Sequence, residues 1–236
     1  MRNTYFQFKQ FRIAQEASAM KVTTDACIQG AWTPVCPQVT KVLDIGTGTG
    51  LLSLMLAQRA DHINIDAIEL DNEAVNQAKE NISVAPWQNR INLIHGDARI
   101  FPFGNQYDLI ICNPPFFKDS FLSNTVSRNR ARHDVSLSQN DLFEILNRNL
   151  SSGGYASVLF PLTEYIRWKA LLQQKGWVEM IKLSISHTQE AEVKRVVSIC
   201  CRKSSSASEE HTLAIKNGDQ YTTAFTDLLA PFYLYL

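Results

Sequence analysis

An alternation constrains this chain more than any other feature. Short β-type runs, KVLDI (41–45), INIDAIEL (63–70), INLIHG (91–96), YDLIIC (107–112) and YASVLF (155–160), are each bounded by Gly, Asp, Asn or Pro. Between them lie segments with helical apolar spacing, GLLSLMLAQRA (50–60), NEAVNQAKENISV (72–84), SQNDLFEILNRNL (138–150) and TEYIRWKALLQQKG (163–176). Strand, helix, strand in this rhythm predicts an α/β fold, a mostly parallel sheet with helices on both faces. Ligands of such sheets bind beyond the carboxyl ends of the strands, so chemistry should cluster just after each one. Late in the chain the rhythm changes. WVEMIKLSISH (177–187) and EVKRVVSICCRK (192–203) have no helix between them and are expected to form an antiparallel edge pair. SSSASEE (204–210) is expected to be a polar loop, and KNGDQYT (216–222) carries an Asn-Gly turn signal.

With 236 residues, 45% hydrophobic and 19% charged, the chain suits one substantial core, and one domain is expected. Residues 1–40 are loosely patterned and stand ahead of the alternating region, 41–236. No apolar run approaches a membrane span, and the opening MRNTYFQFKQFRIAQ lacks the apolar centre of a secretory signal, so a soluble, cytoplasmic protein is expected. Five cysteines without CxxC spacing suggest neither a disulfide framework nor zinc, and His62, His95, His187 and His211 lack ligand spacing, so no metal is expected. Basic and acidic residues balance at 23 each, which leaves any nucleic-acid contact to local patches. SNTVSRNRARH (123–133), with three arginines, a histidine and no acid, is one such patch, and its composition equally suits a solvated loop.

The strand ends carry the chemistry. After the first comes LDIGTGTG, with Asp44, Gly46, Gly48 and Gly50. Alternate glycines let the backbone turn tightly and approach a ligand at the start of a helix. A dinucleotide fingerprint would place a third glycine where Leu51 stands, which weakens the pyrophosphate reading. S-adenosylmethionine (SAM) fits better: Asp44 serves its ammonium end and the glycine loop admits its bulk, although a tight turn without ligand has the same pattern. The next strand ends in AIELD, where Glu69 stands nineteen positions beyond Gly50, about where an acid accepts the hydroxyls of a ribose. The third ends in HGDAR, where Asp97 can accept an adenine amine or serve as a turn carboxylate. Three candidate ligands at three successive strand ends favour SAM. The fourth strand runs into CNPPFF: Pro114 and Pro115 end the ladder and hold Asn113 at a rigid exit, with Phe116 close behind.

Taken together, DIGTGTG, IELD and GDA resemble the motifs of class I SAM-dependent methyltransferases, which implies a Rossmann-like sheet, and NPPF after the fourth strand is similar to the amino-methyltransferase signature. In that family Asn113 and the Pro114 carbonyl would accept hydrogen bonds from an sp² amine, Pro115 would keep the turn rigid, and Phe116 would stack on the planar group carrying the amine. MKVTTDACIQGAW (20–32), RARH (130–133) and the closing LLAPFYLYL also resemble bacterial RNA adenine-N6 methyltransferases of the tRNA1(Val) adenosine-37 family, over nearly the whole chain. That resemblance implies that residues 1–40 close the cofactor pocket through Lys21, Thr24 and Asp25. It also implies that Arg130, Arg132 and His133 line the substrate side, and that the partner is a tRNA.

Related chemistries share NPP-aromatic. Release-factor glutamine methyltransferases typically carry a helical domain ahead of the first motif and Tyr after the prolines, whereas this chain has about forty residues and Phe116. Guanine-N2 rRNA enzymes are the nearer rival, although many have a duplicated domain. A catalytically silent SAM-binding scaffold is the alternative of another class, and it has no use for the amine acceptors.

Overall fold

The computed structural model describes residues 4–16, 21–114, 137–203 and 208–236. A hairpin of β1 (Tyr5–Gln7) and β2 (Arg12–Ala14) precedes helix α1 (Thr24–Trp32). The alternating region follows as β3 (Lys41–Ile45), α2 (Leu51–Arg59), β4 (Asn64–Glu69), α3 (Asn72–Ser83), β5 (Ile91–His95) and β6 (Tyr107–Cys112). After it come α4 (Gln139–Asn149), β7 (Leu150–Pro161), α5 (Leu162–Gln174), β8 (Val178–Ser186), β9 (Val193–Cys201) and β10 (Glu209–Ala214). A small hairpin, β11 (Lys216–Asn217) with β12 (Gln220–Tyr221), and helix α6 (Thr223–Leu229) complete the described elements.

The main sheet has the order β10-β8-β9-β7-β6-β3-β4-β5. Strands β3 to β7 are mutually parallel, and β9 runs antiparallel to both β7 and β8. From β3 the chain moves outward through β4 to β5, then returns to the other side of β3 as β6. That reversal is a topological switch point, and it opens a crevice between the carboxyl ends of β3 and β6. The glycine loop leaves β3 and Asn113 leaves β6, so the two strongest sequence motifs flank it.

Alternation along the central strands divides the core in two. Val42, Ile65, Leu109 and Ile111 pack on one side with α1, α2, α3 and α6, while Leu43, Ile45, Ile110 and Cys112 pack on the other with α4 and α5. Local chemistry sets the helix starts: Asp71 caps α3 through the Ala74 amide at 2.9 Å, and Ser138 with Asp141 forms a capping box on α4. The antiparallel pair is present as expected, and β10 extends the sheet beyond it, parallel to β8. Only Leu213 of β10 is buried, so the outer strand shows no apolar run in sequence.

Candidate active site

Asp44 is the penultimate residue of β3, follows Val42 and Leu43, and lies wholly buried beneath the start of α2. Its Oδ2 accepts from the Thr47 hydroxyl at 2.6 Å, the Ser53 hydroxyl at 2.7 Å and the Ser53 amide at 3.2 Å. Its Oδ1 has no partner among the described residues. An ionised carboxylate with an open acceptor inside a protein is costly, and burial pushes the Asp44 carboxyl up to about 6 against the pull of these donors. A cation at that open oxygen would offset the cost.

The loop after Asp44 turns on left-handed glycines, Gly46 at φ 66° and Gly48 at φ 57°. A Cβ built at Gly46 would meet nothing within 4 Å, so the glycine is needed for the turn, and the space above it is open. Gly50 caps α2 with φ 83°. Glu69, at the end of β4, braces this loop: Oε2 accepts from the Gly48 amide at 2.9 Å, and Oε1 from the Leu70 and Asp71 amides at 2.8 and 2.9 Å. Ribose hydroxyls would have to share those oxygens. Asp97 is likewise engaged, its carboxylate gripped by the Arg99 guanidinium at 2.7 to 3.0 Å, which holds it below the usual carboxylate range.

Half-buried Asn113 and buried Pro114 stand across the crevice. The carbonyl just before them, on Cys112, accepts at 3.1 Å from Gln29 Nε2, which also reaches the Ser157 carbonyl of β7 at 3.1 Å. Helix α1 therefore backs directly onto the Asn113 exit. Gly30 permits the close approach of α1 to α2, since a Cβ there would lie 2.8 Å from the Met55 sulfur. Lys21 and Thr24 are exposed at the amino end of α1, capped by Thr23, and Asp25 in its first turn forms an ion pair with Arg195 at 3.3 Å. Pro115, Phe116, Arg130, Arg132 and His133, with the rest of the 123–133 patch, lie outside the described residues.

Comparison with known proteins gives the family. A family model described as "Methyltransferase small domain" matches residues 33–147. A Dyadobacter fermentans protein named tRNA1(Val) (adenine(37)-N6)-methyltransferase is 39% identical, over 99% of this chain and 98% of its own. Proteins of the same name from Vibrio vulnificus and Tolumonas auensis are 39% and 40% identical, over 97% of this chain and 95% and 96% of theirs. The chain belongs to the tRNA1(Val) (adenine(37)-N6)-methyltransferase family. Solved structures agree on the fold: a predicted O-methyltransferase from Agrobacterium tumefaciens superposes with a TM-score of 0.66 at 15% identity, covering 88% of this chain and 96% of that one. The glycopeptide N-methyltransferase MtfA, solved with SAM, gives 0.56 at 11%, covering 79% and 97%.

The family's cofactor, SAM, fits the residues present. Unpartnered Asp44 Oδ1 suits an ammonium, and the open ground above Gly46 suits the bulk beyond it. Reading the sequence missed the residues that hold this site together. Thr47 and Ser53 had a signal, hydroxyls three and nine positions after Asp44. Buried Asn81 of α3 had none: its Nδ2 donates to the Thr49 carbonyl of the glycine loop and to the Ala14 carbonyl, both at 2.9 Å, and its Oδ1 accepts from the Ala14 amide at 2.8 Å. One side chain thereby stitches the amino-terminal hairpin to the glycine loop.

Proposed function

We propose that this enzyme transfers a methyl group from SAM to N6 of adenosine 37 in tRNA1(Val), the reaction printed in the names of its full-length relatives. The observation that carries the reading is the opposition, across the switch point, of a buried carboxylate with an open acceptor and the Asn113-Pro114 exit. When bound, SAM supplies the electrophilic sulfonium methyl. Asp44 holds its ammonium end, Glu69 the ribose and Asp97 the adenine amine, with Lys21, Thr24 and Asp25 closing the pocket. Asn113 Oδ1 and the Pro114 carbonyl accept the two N–H groups of the target amine, which favours a tetrahedral nitrogen with its lone pair aimed at the methyl. Pro115 keeps the turn rigid and Phe116 stacks on the base. Arg130, Arg132 and His133 meet the RNA.

Neutral at neutral pH, the adenine amine has no proton to lose before attack, so positioning and electrostatics do most of the work, with no residue needed as a strong base. The Cys112 thiol, pushed well up by burial, is no nucleophile. The base must leave its stack to reach Asn113. A tRNA substrate implies a cytoplasmic enzyme, in keeping with the lack of any helix among the described residues long and apolar enough to cross a membrane.

The test is labelled methyl transfer from SAM to RNA of a strain lacking this gene, followed by nucleoside mass spectrometry. N6-methyladenosine at position 37 of tRNA1(Val) is expected. N2-methylguanosine in rRNA would keep the fold and overturn the base, and no labelled RNA would turn attention to protein substrates or a silent scaffold. Asn113→Ala should lower kcat by ~10²-fold or more with SAM affinity retained, the scale of losing a donor or acceptor made in the transition state. Equal turnover in the two proteins would remove Asn113 from the mechanism.

A further inference from the structure

Helix α1 runs antiparallel to β7, and its contacts show the direction. Tyr155, early in the paired part of β7, donates to the Pro34 carbonyl at 2.7 Å, just past the end of α1. Ser157 meets Thr33 at 2.7 Å and Gln29 at 3.1 Å. Arg195 of β9, the register partner of Pro161 at the carboxyl end of β7, meets Asp25 in the first turn of α1. The amino end of α1 thus stands at the carboxyl end of β7, beside the strand from which Asn113 emerges.

The Arg195–Asp25 pair is the polar link between that turn and the antiparallel edge of the sheet. Arg195 Nε lies 3.3 Å from Asp25 Oδ2, with the two side chains 34% and 29% exposed, and Arg195 Nη1 donates to the Lys194 carbonyl at 3.0 Å. A carboxylate in a first helical turn already faces the positive end of the helix, and a second cation from β9 fixes its direction. Nothing in the motif-bearing strand ends supplies this link, because β9 lies outside the alternating half of the sheet.

We propose that Arg195 is a positioning residue for methyl transfer: by holding Asp25 it fixes the first turn of α1 against the carboxyl end of β7 and so sets the wall beside Asn113 against which the target base is held. The proposal rests on the tRNA adenine reading for its substrate. Acting through Asp25, Arg195 need not touch the base or SAM. Because Asp25 also helps close the cofactor pocket, loss of Arg195 should appear in the use of RNA and of SAM together.

The experiment compares the full-length parent with Arg195→Met, Arg195→Lys, Asp25→Asn and the double variant Asp25→Asn/Arg195→Met. Steady-state kinetics on tRNA1(Val), calorimetric SAM binding and amide hydrogen exchange are measured on each. Arg195→Met should lower kcat/KM for tRNA roughly tenfold, the scale of a small misplacement at a reacting centre, with SAM affinity weakened alongside it. Arg195→Lys should recover most of the loss, and the double variant should be no worse than Arg195→Met, because both changes break one link. Exchange at the Ala26 and Cys27 amides, bonded in the first turn to the Thr23 side chain and carbonyl, should quicken roughly tenfold in Arg195→Met. Parental exchange in Arg195→Met overturns the proposal, as do parental kinetics or losses that multiply in the double variant. A parent that leaves tRNA1(Val) unmethylated sinks the substrate reading instead, while the exchange measurement still decides the role of Arg195.

Discussion

Asp44→Asn should separate the two demands on this buried carboxylate, since it removes the charge while keeping an oxygen for Thr47 and Ser53. The carboxyl titrates at about 6 in the folded protein, against an ordinary value of 3.8. At ~1.4 kcal/mol per tenfold, full ionisation therefore costs the folded state about 3 kcal/mol. The sign follows from the raised value: the folded chain holds this proton more tightly than the unfolded one. The associated stability is complete below pH ~4, is lost as pH rises through about 6, and is absent above. Urea unfolding of parent and variant without SAM, from pH 4 to 8, isolates this contribution because the other carboxylates cancel in the difference. The variant should gain on the parent by about 2 kcal/mol across pH 4 to 7, whatever constant offset its new amide N–H brings. SAM binding should move the other way: the parent loses affinity as pH falls below about 6, and the variant binds weakly with little dependence on pH. A stability difference that stays flat from pH 4 to 8 would refute the reasoning, since Asp44 would then be no prepared, uncompensated anion.

Three further perturbations probe other parts of the molecule. Asn81→Leu strands the Ala14 amide and the Thr49 and Ala14 carbonyls, and should cost about 2–4 kcal/mol in denaturant unfolding while raising KM for SAM; parental values of both would show that the clasp is dispensable. Tyr233→Phe removes the hydroxyl shared with Cys27 and Thr24 of α1, and should speed amide exchange in the first turn of α1 with little loss of global stability, whereas unchanged exchange would mean the ring alone seats the helix. The proposed meeting of Arg130 with RNA phosphates predicts that Arg130→Ala weakens tRNA binding and flattens its salt dependence by about one counterion, and an unchanged slope would return the 123–133 patch to a solvated loop.

How much was legible depended on whether the signal was local. β3 to β7 read as short runs rich in apolar residues, so their existence and carboxyl ends could be taken from sequence, and with them the positions of Asp44, Glu69, Asp97 and Asn113. The acidic residues were found, but not their present partners: Glu69 braces the glycine loop, and Asp97 is held by Arg99 two positions on. β10 escaped because its outer edge faces water, leaving Leu213 as its single buried residue. Asn81, Gln29 and Arg195 act across 67, 83 and 170 positions of chain, and no spacing rule reaches that far. Periodicity describes how an element faces the core, and these residues matter for what they face beyond it.

The chain ends belong to the same argument. In the middle of the sequence each motif is placed by the strand it follows, so a parallel sheet brings Asp44 and Asn113 to one edge without further help. A switch-point crevice built that way is open on the side away from the strands. The first residues are held by the last: the Lys9 amide donates to the Phe232 carbonyl at 2.8 Å, Lys9 Nζ to the Ala230 carbonyl at 2.6 Å, and Phe8 bridges to Tyr233. Gln58 of α2 donates to the Pro231 carbonyl at 2.9 Å, tying the same turn to the helix that begins at the glycine loop. Segments far apart in sequence are thus fastened to one another and to the cofactor loop. A short carboxyl-terminal run such as APFYLYL therefore bears on the placement of α1, because Tyr233 shares its hydroxyl with Cys27 and Thr24.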